Sequence, residues 1–140
     1  MILATSAAIK TGTKYLQVFT EEEYVHTLPI ILPQIIAKPF SLSDFENSMS
    51  SFNRILIGPG TTTSVKKYVD IALENINSLD SLIIDAGALM YINKNKPFSD
   101  RLIITPHPGE AARMLISLYQ RYKLIDIKQY VCCTISFNAL

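Results

Sequence analysis

Cysteine is nearly absent from this chain, which carries Cys132 and Cys133 and no other thiol. Neighbours in sequence cannot close a structural bridge without strained geometry, so a disulfide framework is excluded and reduced thiols are expected. Neither cysteine has metal-ligand partners at the usual spacing, and both read as strand residues. Charge of one sign is also missing. Thirteen Lys and Arg against twelve Asp and Glu leave a formal net charge of +1, and the cations are spread along the chain, so there is no electrostatic footprint for nucleic acid. No apolar run approaches the roughly 20 residues that span a bilayer, and M-I-L-A-T-S-A-A-I-K has no basic region ahead of its apolar residues. The expectation is no membrane contact and a cytoplasmic protein. Nor is there a repeat, linker or composition shift, so residues 1–140 read as one domain.

What is present points to an α/β protein. The hydrophobic fraction of 49% with 18% charged residues is that of a soluble globular chain, and a chain of this size can bury roughly 68–70% of its unfolded surface. Ile2 to Ile9 predicts a helix ended by Gly12, followed by a strand over Tyr15 to Thr20. Glu21, Glu22 and Glu23 read as the solvated first turn of a short helix, with His26 near its end, and not as a metal site. Pro29, Pro33 and Pro39 break Leu28 to Phe40 into loop and short extended pieces. A polar helix candidate, Ser41 to Ser51, precedes the strand Arg54 to Ile57. Val65, Tyr68, Val69, Ala72 and Ile76 share one face of a helix with Thr63 or Ser64 as its cap. The strand Leu82 to Ile84, a helix over Ala86 to Asn93, and the strand Leu102 to Ile104 follow. Alternating strands and helices imply a parallel sheet with right-handed crossovers. Past Tyr122, Val131, Cys133, Ile135 and Phe137 alternate with polar or small residues as in a half-buried strand.

Leu102 to Leu115, L-I-I-T-P-H-P-G-E-A-A-R-M-L, carries the strongest functional signal. Leu102, Ile103 and Ile104 have the apolar, branched character of a parallel strand covered on both faces. Pro106 and Pro108 fix φ on either side of His107, which places its imidazole on a stiff turn at the strand's carboxyl end, where ligands of such sheets bind. Gly109 permits close backbone approach. Glu110 opens a helix whose apolar residues Ala111, Met114, Leu115, Leu118 and Tyr122 lie on one face.

This segment resembles the signature of the ADP- or ATP-dependent NAD(P)H-hydrate dehydratases, nicotinamide-nucleotide repair lyases on the ribokinase-like, carbohydrate-kinase-related fold. Arg54 to Gly60, R-I-L-I-G-P-G, is similar to the family's strand followed by Gly-Pro-Gly, and Ser81 to Leu89, S-L-I-I-D-A-G-A-L, to its strand followed by Asp-Ala-x-Ala-Leu. The order and approximate spacing of the three also match. The resemblance implies hydrated NADH or NADPH as substrate and ADP or ATP with Mg²⁺ as co-substrate. It implies that His107 contacts the hydrated nicotinamide portion, with Gly58 and Gly60 letting substrate approach the backbone. Asp85 falls where related kinases shape the phosphate and metal region. Each has a plainer alternative: a turn histidine capped by backbone, an ordinary strand-to-helix turn, and a cap for the helix at Ala86. Thr61, Thr62 and Thr63 depart from the family's usual leucine and glycine, and Lys66 lacks the glycine and hydroxyl neighbours of a P-loop.

The family's Gly-Thr-Gly-Asp segment, whose amides cradle the transferring phosphate and whose Asp is the base, has no counterpart here, and neither does its Leu-Lys-Gly strand. Ile2 to Gly12 resembles the helix after the family's glycine-rich opening strand, with Met1 as an internal methionine serving as a start. The expectation is a partial ribokinase-like fold, about half of the family's domain and truncated at both ends, with no catalytic residue assigned and no activity of its own. Two other readings remain: a non-catalytic nucleotide-binding or assembly module, and a remnant of a sugar or vitamin-precursor kinase of the same fold. A cut parallel sheet exposes an edge, so a homo-oligomer is expected, or repair by the strand candidate Val131 to Phe137.

Overall fold

Short runs of branched residues separated by helix-length segments fold into parallel strands, because a right-handed crossover returns each strand beside its predecessor in the same direction. The computed structural model describes residues 1–61, 65–92 and 99–122, with side chains through Ile116. Arg54–Ile57 (β3), Ser81–Ile84 (β4) and Leu102–Ile104 (β5) form a three-stranded parallel sheet in the order β3-β4-β5. Its register sets Leu56 opposite Ile83, and Ile83 opposite Ile103. A second parallel pair joins Leu16–Thr20 (β1) to Ile35–Pro39 (β2). All-parallel strands with flanking helices are borne out, but as two sheets instead of one.

Period-2 alternation in β3 buries Ile55 and Ile57 and exposes Arg54 and Leu56, so one face of the larger sheet is core. On that face lies the helix Lys66–Glu74 (α5), where Tyr68, Val69 and Ala72 are buried, flanked by buried Val65 and Ile76, as the periodicity predicts. The caps expected at Thr63 or Ser64 lie outside the described residues. Leu42–Ser48 (α4) adds Phe45, which meets Tyr68 edge to face at 5.2 Å. Ser41 caps this helix by accepting the Asp44 amide, a bond worth about 1 kcal/mol. Leu79, Leu82, Ile84 and Val69 are fully buried, each contributing about 1.5–3 kcal/mol through removal of apolar surface from water.

Three expectations are corrected. The strand Leu102 to Ile104 is not covered on both faces: Ile103 is 46% and Ile104 39% exposed, because the helices pack over β4 on one side and β5 lies at the margin. The segment Ala86 to Asn93 is not an α-helix but a 3₁₀ stretch, Ala86–Tyr91, entered through positive φ at Ala86. The stretch Leu28 to Phe40 holds an extended piece as expected, β2, but a one-turn helix, Leu28–Ile31 (α3), stands where loop was expected. The other elements follow the sequence. They are the helices Ile2–Lys10 (α1) and Glu22–Val25 (α2), with exposed His26 at the latter's end, and Pro108–Tyr122 (α6), which starts two residues before Glu110. The candidate strand Val131 to Phe137 and both cysteines lie outside the described residues. Among the described residues no helix is long and apolar enough to cross a membrane.

Candidate functional site

In a parallel sheet the loops after all the strands leave at one edge, and the loops after β3, β4 and β5 bring Gly58 and Gly60, Asp85, and His107 to that edge. The strand ends are tied together: the Asp85 amide donates to Ile57 O at 3.0 Å, and the Thr105 amide to Ile84 O at 3.3 Å. Ligands of open α/β sheets bind outside such carboxyl ends.

Gly58 has φ of 140°, a conformation that side-chain-bearing residues avoid. A Cβ there would lie 1.8 Å from the Asp85 carbonyl oxygen. The absent side chain at 58 therefore admits the neighbouring strand's backbone. Gly60, at φ 74°, is exposed, and the nearest neighbour of a Cβ built on it is the Met1 backbone nitrogen at 3.4 Å. Thr61 closes the turn, its amide and hydroxyl both donating to Gly58 O at 3.0 and 2.7 Å.

Asp85 sits at the cap position of the 3₁₀ segment in extended conformation, yet its side chain makes no capping bond. The capping alternative is not used, and the carboxylate is half-buried at the edge. Ala86 follows at φ 48°, a strained position for a residue with a Cβ, which sharpens the turn away from β4.

His107 is the cap of α6. Its carbonyl accepts the Glu110 and Ala111 amides, both at 2.9 Å, and its Nδ1 accepts the Gly109 amide at 3.0 Å. The Glu110 carboxylate reaches back to accept the His107 amide at 3.0 Å, giving the reciprocal arrangement of a capping box with histidine in the hydroxyl residue's place. An accepting Nδ1 carries no proton, so the neutral ring has its proton on Nε2, 3.4 Å from Glu110 Oε1. The side chain is 61% exposed. The backbone-capped alternative thus describes part of what His107 does, while most of its side chain stays exposed. Glu110's double role was readable in principle from a Glu three residues after the cap position; Ala86's positive φ and the approach of Met1 to Gly60 had no local signal.

A cleft of about 950 Å³ lies beside this edge and takes in Gly58, Pro59, Gly60 and Thr61, but neither Asp85 nor His107. Among the described residues no three His, Cys, Asp or Glu side chains converge as a metal site.

Comparison with known proteins agrees with this geometry. The fold matches the crystal structure of hypothetic protein SMU.573 from Streptococcus mutans with a TM-score of 0.70 and 24% identity, over 80% of this chain and 42% of that one. The ADP-dependent (S)-NAD(P)H-hydrate dehydratase of Streptococcus thermophilus is 30% identical over 122 residues, 81% of this chain and 43% of the relative. That of Bacillus subtilis (strain 168) is 31% identical over 123 residues, 81% and 41%. The bifunctional NAD(P)H-hydrate repair enzyme Nnr of Escherichia coli (strain K12) is 29% identical over 110 residues, 78% and 21%. The chain spans less than half the length of each of these relatives. The family model for NAD(P)H-hydrate dehydratase matches residues 1–135, and on that match, with strand ends arranged as above, the chain belongs to the NAD(P)H-hydrate dehydratase family.

Proposed function

We propose that this 140-residue chain binds hydrated NADH or NADPH along the carboxyl edge of β3, β4 and β5 and does not by itself complete an ADP- or ATP-dependent dehydration. The observation that supports this most is the convergence of three strand-end loops on one edge in a chain of this family. His107 is assigned to the hydrated nicotinamide portion through its exposed ring. Gly60, exposed and without a side chain, lets the dinucleotide approach the backbone, while Gly58 sets the turn that presents it. Asp85, whose carboxylate is not spent on capping, borders the phosphate region. Its single carboxylate does not make a Mg²⁺ site, so a metal ion would arrive on the phosphates of ADP or ATP. No counterpart of a phosphate-cradling segment with its base occurs in these residues. Lacking a general base costs on the order of 10²–10⁴ in rate, and lacking anion-stabilising donors on the order of 10²–10³ more.

Calorimetric titration of the full chain with hydrated NADPH, NADPH, ADP and ribose tests the reading, together with recovery of the reduced-nicotinamide absorbance in the presence of ATP or ADP. The expected result is binding of hydrated NADPH ahead of the others, weakened by His107→Ala, with turnover near background. Preference for the sugar would favour a kinase remnant, and robust nucleotide-dependent recovery would overturn the non-catalytic part.

The same reading carries a cytoplasmic location and a homo-oligomer. The latter is supported by an apolar row on the sheet face opposite α5, where Leu56 is 48% exposed beside Ile83 and Ile103. Light scattering at micromolar concentration should return a dimer mass; a monomer overturns it.

A further inference from the structure

The His107 ring is held by the first turn of the helix that it caps. The Gly109 amide donates to Nδ1 at 3.0 Å, so the one acceptor of a neutral imidazole is already occupied. The Glu110 side chain, 17% exposed against 61% for His107, accepts the His107 amide through Oε2 at 3.0 Å. Its Oε1 lies 3.4 Å from Nε2, longer than a usual N–H···O bond, yet near enough for the negative charge to favour the tautomer with its proton on Nε2.

Gly109 has no conformational reason to be glycine. Unlike Gly12, Gly58 and Gly60, it is not at positive φ, and it stands in the first turn of α6, where alanine is the better helix former. What an added side chain would meet is the imidazole: a Cβ at 109 would stand 3.0 Å from His107 Cε1 and 3.4 Å from Nδ1. The missing side chain thus makes the space in which the ring lies. Arg113 braces the same turn, its Nε donating to the Gly109 carbonyl at 3.2 Å.

We propose that Gly109 and Glu110 are positioning residues for His107, holding its neutral ring in the Nε2–H form so that it meets the hydrated nicotinamide as a hydrogen-bond donor and not as an acceptor. The inference rests on the assignment of His107 to that portion of the ligand. Hydration adds a hydroxyl that intact NADH and NADPH lack, and its oxygen accepts from a donor held in place. A site built to bond a hydroxyl discriminates against the analogue without one. The fixed tautomer is therefore a basis for preferring the hydrated dinucleotide over the intact one: His107 supplies the proton, Gly109 the space and the bond to Nδ1, and Glu110 the anchor.

The test pairs ring-nitrogen spectra of the full chain, labelled at its two histidines, with calorimetric affinities for hydrated NADPH and NADPH. His107→Ser rebuilds an ordinary serine cap ahead of Glu110; it should keep the thermal midpoint, assign the His107 signals by their loss and weaken hydrated NADPH. In the parent, Nδ1 should be unprotonated and Nε2 protonated. Gly109→Ala should keep or raise the thermal midpoint while it moves the ring signals and weakens hydrated NADPH about tenfold, the scale of one hydrogen bond, with NADPH little changed. A merely structural role would move stability and affinity together. Glu110→Ala should act in the same direction on ring and affinity, and Glu110→Gln, which still accepts the His107 amide, should regain most of the loss. A parent ring protonated at Nδ1 would overturn the proposal. So would loss of binding in His107→Ser with ring signals and affinity unchanged in Gly109→Ala and Glu110→Ala, a result that leaves the dinucleotide reading intact. Undiminished binding in His107→Ser would overturn that reading of the loop itself, and the proposal with it.

Discussion

Every buried member of the hydrophobic core cluster lies between Phe45 and Ile92, whereas the unit from β1 to β2 buries Thr20, Leu28 and Ile35. The same strand-helix-strand grammar builds both, and the difference is what covers the sheets. Two long apolar faces, those of α5 and of the segment after β4, close over β3 and β4. Against β1 and β2 lie the single-turn helices α2 and α3 and the nine-residue α1, which buries only Thr5, and the unit is tied to the core by aromatic contacts: Phe19 meets Phe45 at 5.4 Å, and Phe40 meets Tyr68 at 5.5 Å. Stability is therefore concentrated in the half that carries the candidate site, and the half across the cleft is attached more loosely.

The comparison breaks most visibly in the core. Leu82→Ala, at a fully buried position of the central strand, should cost about 2–5 kcal/mol, while Ile36→Ala on half-exposed β2 should cost under about 1 kcal/mol. Denaturant unfolding measures both, and equal costs would mean that the two halves are equally packed. The glycines after β3 sharpen it further. Gly58→Ala meets both an unfavourable φ and the Asp85 carbonyl, so it should lose at least about 1–3 kcal/mol. Gly60→Ala, at φ 74° but with its Cβ no nearer than 3.4 Å to the Met1 backbone nitrogen, should lose only about 1 kcal/mol.

How much of this was legible varied with how local the cause is. The face made by Val65, Tyr68, Val69, Ala72 and Ile76 was readable because burial follows a 3.6-residue period, and the strand ends at Gly58, Asp85 and His107 because punctuation by Gly and Pro is local. β2 is legible only as a short extended piece, because its prolines mask a paired strand: Pro33 precedes it and Pro39 is its last residue, a position where a missing donor is tolerated. The segment after β4 reads as an α-helix by composition, but the positive φ at Ala86 makes it 3₁₀. The cleft had no signature at all, since which edge lacks a neighbour is decided by topology and not by residues in sequence.

A smaller effect tests the joint between the halves. Burial, aided by the charge of Glu21, raises the Tyr68 phenol above its usual 10.0, so folding favours the protonated form. That contribution is fully present below the unfolded value and lost as pH rises through the folded one. Tyr68→Phe should therefore flatten the fall of stability above about pH 10 while changing little at pH 7. A parallel fall in parent and variant would show that the phenol does not titrate against folding.

The most direct test of the proposed dinucleotide edge is a two-dimensional amide spectrum of the full chain titrated with hydrated NADPH. The account predicts shifts at Gly60, Asp85 and His107, the three loops of one sheet edge, with the amides of 35–39 unmoved. Shifts confined to the β1–β2 unit, or none at ligand concentrations that saturate full-length relatives, would contradict it.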